Sequence, residues 1–168
     1  MTDAKRDQVI DRMVTEAYYW IGDQNAQASL SIARWLSQLT LSKKMKERVE
    51  GLFSDWRSIM GSKHKESDFP EIPIKVKDDA NEELKLLWIA SNVIMNTFTS
   101  GNYEMAYTTM MECCEDWPEL YLSVLSMAKK SDIKENLAEW LIVHMLFACD
   151  LMGEKSIEIA GYRLSKIE

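Results

Sequence analysis

Apolar positions recur along this chain at the three-to-four-residue spacing of an amphipathic helix almost from end to end. Val9, Ile10, Met13, Val14, Ala17 and Ile21 mark one face of a helix over about 2–22, and Leu30, Ala33, Leu36 and Leu39 mark another over about 25–40. The clearest stripe is Met45, Val49, Leu52, Phe53, Trp56, Ile59 and Met60. Ser42 stands before it as an N-cap, its hydroxyl able to accept from an unpaired backbone N–H of the first turn. A fourth helix, about 79–99, is apolar nearly all round from Leu84 to Phe98, the pattern of a helix central to a core or covered by a partner. Further helices are predicted over about 102–117, 119–130 and 132–152. The last opens with Asp132 and Glu135 in capping-box spacing and carries the stripe Leu137, Leu141, His144, Ala148 and Leu151. Gly153 ends it, and Ile157, Ala160, Leu164 and Ile167 predict one final helix. The expectation is an all-α fold of about eight helices in antiparallel hairpins, built as one helical bundle or as two small helical subdomains.

Residues 61–79 break the pattern. Pro70 and Pro73 forbid a helix interior, and Ile72, Ile74 and Val76 alternate as in a short extended stretch. With no second strand to pair, this segment reads as a linker pinned on the helices. The predicted organisation is therefore N-terminal helical hairpins over 1–60, a Pro-containing linker over 61–79 and an acidic C-terminal helical bundle over 80–168, packed together as one unit.

Charge changes in the same region. The net charge is −7, yet residues 1–77 carry 13 Lys and Arg against 11 Asp and Glu, whereas 78–168 carry 7 against 16. Between 78 and 128 the single base is Lys85, facing nine acids. Phosphate binding needs an excess of Lys and Arg, so direct nucleic-acid binding by this part is disfavoured and a basic protein partner is permitted. The cluster Lys43, Lys44, Lys46 and Arg48 at the start of the third helix reads as a solvated face.

No apolar run reaches the length of a membrane span, and the first residues lack the apolar core of a secretory signal. Cys113, Cys114 and Cys149 make a poor disulfide framework, so free thiols and a cytoplasmic location are expected. His144 reads as a core histidine, and with His64 the only other one, no His-rich metal site can form. Nucleophile motifs, a phosphate-binding Gly-rich loop and a dinucleotide fingerprint are missing, so no cofactor is expected. Eleven methionines and six tryptophans could pack a core or line an adaptable groove.

Gly101, Tyr103, Ala106 and Pro118 have the spacing of the second helix of a tetratricopeptide repeat, and residues 87–120 resemble one hairpin of that family. Ser67 and Glu135 stand where a neighbouring repeat would place its turn glycine, so a single hairpin rather than an array is expected. The resemblance implies protein binding. Trp88, Tyr103, Glu104, Tyr107, Met111, Glu115, Asp116 and Trp117 are the expected partner-binding residues, on an acidic, Met- and Trp-rich helical surface. Separately, Glu112-x-x-Glu115 followed by Glu135, Glu139 and the run from Leu137 to Val143 resembles the all-α nucleotide pyrophosphohydrolases of the MazG type. That resemblance implies a Mg²⁺ site at Glu112, Glu115, Glu135 and Glu139, although Asn136 stands where a further carboxylate belongs. The favoured reading is a non-enzymatic interaction module, an adaptor, assembly factor or inhibitor. A pyrophosphohydrolase or a decayed relative is the first alternative and an acidic nucleic-acid mimic the second. A homo-oligomer is compatible with each.

Overall fold

The computed structural model describes residues 1–131, 137–159 and 161–167. The predicted capping box of Asp132 and Glu135, the side chain of Leu137, and Ala160 of the last stripe lie outside the described residues. The fold is predominantly α-helical, as the periodicity predicts. Its helices are α1 (Asp3–Gly22), α2 (Ala26–Ser37), α3 (Lys43–Met60), α4 (Glu82–Thr99), α5 (Tyr103–Cys114), α6 (Pro118–Lys130) and α7 (Leu137–Met152). No described helix is long and apolar enough to cross a membrane.

The chain ends differently from the prediction. In place of a final helix there is an antiparallel hairpin of β1 (Ser156–Ile159) and β2 (Tyr162–Ser165). The error has a clear origin. Ile157 and Leu164 are seven residues apart, which places them on one helix face but equally makes them direct cross-strand partners around a short turn. Gly161 takes φ +81°, which a helix interior excludes and a tight turn requires.

The residues group into two compact units, Met1–Val93 and Ile94–Glu168, so the boundary falls within α4. The first is built on α1, α2 and α3, whose apolar stripes meet through fully buried Val9, Ile10, Met13, Leu30, Leu36, Leu52 and Trp56. Three side chains cap the starts of these helices: Thr2 accepts from the N–H of Lys5 at 3.1 Å, Asn25 from Ala28 at 2.9 Å and Ser42 from Met45 at 3.3 Å. α1 ends in a Schellman turn, with Asn25 N–H donating to Trp20 C=O, Gln24 N–H donating to Ile21 C=O, and Gln24 itself left-handed at φ 61°.

Residues 61–81 form no strand. They contain one 3₁₀ turn, Glu66–Asp68, and are fastened by side chains of α2. The Arg34 guanidinium donates to Phe69 C=O and to Glu66 C=O, each at 2.7 Å, and Trp35 Nε1 donates to Ile72 C=O at 2.9 Å. Phe69 adds an edge-on contact to Trp56 at 6.5 Å. At the start of α4, the Glu82 carboxylate accepts from Thr40 N–H at 2.6 Å and pairs with Lys85 at 3.2 Å.

In the second unit the end of α4 also closes in a Schellman turn. Asn102 N–H donates to Thr97 C=O, Gly101 N–H donates to Phe98 C=O, and Gly101 is left-handed at φ +83°. The predicted turn glycine is thus a helix C-cap in the geometry only glycine adopts without strain. Pro118 is not the stop of α5. The helix ends earlier, at Cys114, Asp116 turns left-handed at φ 58°, and Pro118 is the first residue of α6, where its missing N–H costs nothing.

Candidate partner-binding surface

The eight residues expected to meet a partner divide by burial. Trp117 is 3% exposed and belongs to the core. Trp88, in the first unit, is half-buried and packs edge-on against Trp35, with ring centroids 5.1 Å apart. Tyr107 is half-buried against Phe147 of α7 at 5.4 Å. Tyr103 packs on Phe98 at 6.3 Å, and its hydroxyl is buried without a hydrogen-bond partner among the described residues. Burial, and then the Glu139 carboxylate, raise the pKa of that phenol above its ordinary value. The aromatic members of the set therefore pack.

What remains outside is polar and acidic. Glu104, Glu115 and Asp116 are exposed, as are Thr108 and Glu112, and Met111 is 49% exposed among them. Glu104, Thr108, Met111 and Glu115 follow one another at helical spacing, so they share a face of α5, while Ala106, Thr109, Met110, Cys113 and Cys114 face inward. No Lys or Arg occurs between residues 94 and 128, so the sequence around this face supplies no compensating cation. Ala106 is fully buried, consistent with the close approach that its small side chain allows.

Most methionines of this region are interior: Met95, Met110 and Met145 are buried, and Met105 and Met127 half-buried. Cys113, Cys114 and Cys149 form no disulfide among the described residues, and the first two are buried. Of the four carboxylates in the metal reading, Glu112, Glu115 and Glu139 are exposed, and Glu135 lies outside the described residues. Among the described residues no group of three or more His, Cys, Asp or Glu side chains converges to hold a metal ion.

α7 corrects a second expectation. Of the predicted stripe, His144 and Ala148 point inward, but Leu141 is half-buried and Leu151 is 38% exposed. The buried face runs instead through Trp140, Val143, His144, Phe147 and Ala148. It leaves Ile142 and Leu146 exposed at 54% and 46%. The helix is apolar almost all round, so the period fits several rotations and cannot fix which side faces in.

His144 sits at the centre of this core. It is fully buried and stacks on Phe98 at 5.7 Å and on Trp140 at 5.8 Å, with Tyr121 tilted against it at 5.8 Å. Neither ring nitrogen has a hydrogen-bond partner among the described residues, and burial lowers its pKa from 6.5 to about 4. The Tyr121 hydroxyl donates to the His144 carbonyl at 2.9 Å, which fixes α6 against α7.

Compared with protein-family models, curated proteins and solved structures, the chain matches none of them.

Proposed function

We propose that this protein is a non-enzymatic interaction module, an adaptor, assembly factor or inhibitor, that binds another protein through its second unit. The observation that carries the reading is the outer face of α5, where Met111 is exposed beside Glu104, Glu115 and Asp116 in a stretch, residues 94–128, that contains no Lys or Arg. An exposed flexible thioether beside like charges matches an apolar site with a basic rim. Affinity would come from the apolar contact, and the carboxylates would set orientation and association rate.

The test is a pull-down with the full chain from its native host. The wild type should retain a defined basic protein through a salt wash, and Met111→Ser combined with Glu115→Lys should release it. Retention by the variant equal to the wild type, or retention of no protein at all, would overturn the reading. Release of the partner by salt alone, with no effect of Met111→Ser, would favour an acidic mimic over an adaptor.

A further inference from the structure

We infer that the outer face of α7 is a docking strip for a basic amphipathic helix of a partner protein, an inference that rests on the interaction-module reading above. The inner face of this helix is committed to the core through Trp140, His144 and Phe147. Its outer face presents Ile142, Leu146 and the half-buried Cys149, at successive spacings of four and three residues. That alternation is the seam on which two helices pack side by side. Side chains as large as Ile142 and Leu146, each about half exposed on adjacent turns, form a contiguous apolar ridge.

Charge selects the occupant. Glu139 and Asp150 are exposed and lie along the same edge of the ridge, three helical turns or about 16 Å apart. α7 carries no Lys or Arg. A second copy laid strip to strip would set Glu139 against Asp150 if antiparallel, where like charges facing across the interface oppose association, and if parallel would bring no cation to either acid. An anionic lipid surface or a nucleic acid is disfavoured by the same two carboxylates. A helix with apolar residues at i, i+4 and i+7 and with Lys or Arg alongside satisfies both the ridge and its edge.

The test uses the full chain and two synthetic helical peptides with the same leucine stripe, one flanked by lysines and one by glutamates. Fluorescence anisotropy should show saturable binding of the lysine peptide alone. Ile142→Ser with Leu146→Ser should weaken it tenfold or more. Glu139→Lys with Asp150→Lys, which alters only exposed positions, should do the same, while Ile59→Ser at an exposed site in the first unit should leave it unchanged. Equal binding of the lysine peptide by wild type and either α7 double variant, equal binding of the glutamate peptide, or no binding would overturn the inference. The two readings separate in the pull-down. If the Ile142→Ser, Leu146→Ser form retains the native partner undiminished, the strip is refuted and the interaction reading stands. If no form retains a protein, the interaction reading itself fails.

Discussion

Replacing His144 with phenylalanine should stabilise the second unit, and the gain should grow as the pH falls. The imidazole is fully buried among aromatic rings, and neither nitrogen finds a partner among the described residues. A buried polar group left unpaired costs about 1–3 kcal/mol. Phenylalanine removes that cost and keeps the ring stacking, offset in part by its slightly larger volume, so a net gain of about 1 kcal/mol is expected at pH 7.5. The pH dependence follows from burial, which lowers the folded-state pKa from 6.5 to about 4. Between those values the unfolded chain binds a proton that the native state refuses. Stability from this site is therefore complete above pH 6.5, declines as the pH falls toward 4, and is constant below. At pH 4.5 the loss amounts to about 2.5 kcal/mol, at ~1.4 kcal/mol per pH unit. The advantage of His144→Phe should widen to about 3–4 kcal/mol there. Urea titrations read by hydrogen exchange of α7 report on this unit without mixing in the other. The comparison with wild type cancels the carboxylates, which titrate in both proteins. An equal difference between the two proteins at pH 7.5 and pH 4.5 would show that burial does not hold His144 neutral, as would a histidine proton resonance that titrates near 6.5 for His144.

Three further predictions concern the helix ends and the linker. Gly101→Ala forces a β-carbon into the left-handed geometry of the Schellman turn and should destabilise the chain by about 1 kcal/mol in thermal unfolding. Gln24→Gly relieves the same strain in the matching turn after α1 and should raise the melting temperature, with a stabilisation of about 0.5–1 kcal/mol. Arg34→Met removes both hydrogen bonds from Arg34 to residues 66–69, so limited trypsin digestion at Lys65 and Lys75 should accelerate severalfold while the helical circular dichroism signal persists.

The sequence carries the helices more clearly than it carries their orientation. Stripes with one polar side, such as Met45 to Met60 on α3, fix the helix and most of its buried face, Met45, Val49, Leu52, Trp56 and Met60, although Phe53 of that stripe is half-buried and Ile59 is exposed, and Ser42 fixes its start. α7 has too little polar contrast for that, so its inward side is decided by packing of Trp140 and Phe147 against aromatic residues elsewhere in the chain, which no local pattern encodes. The terminal hairpin was hidden because Ile157 and Leu164 satisfy both periods, although the β-branched alternation around Glu158 and the glycine at 161 were the available signals. At the surface, the acids of α5 were legible from charge alone. That Tyr103, Tyr107 and Trp117 pack while Met111 is exposed depends on tertiary neighbours, and the exposed Ile142 and Leu146 depend on the rotation of α7.

Protein binding through the exposed face of α5 is read out by a photo-crosslinking side chain placed at Met111 in the native host, with Ile59 of the first unit as an equally exposed control. One defined heterologous adduct should form from position 111 and none from position 59. No adduct at 111, or the same adducts from both positions, would contradict it.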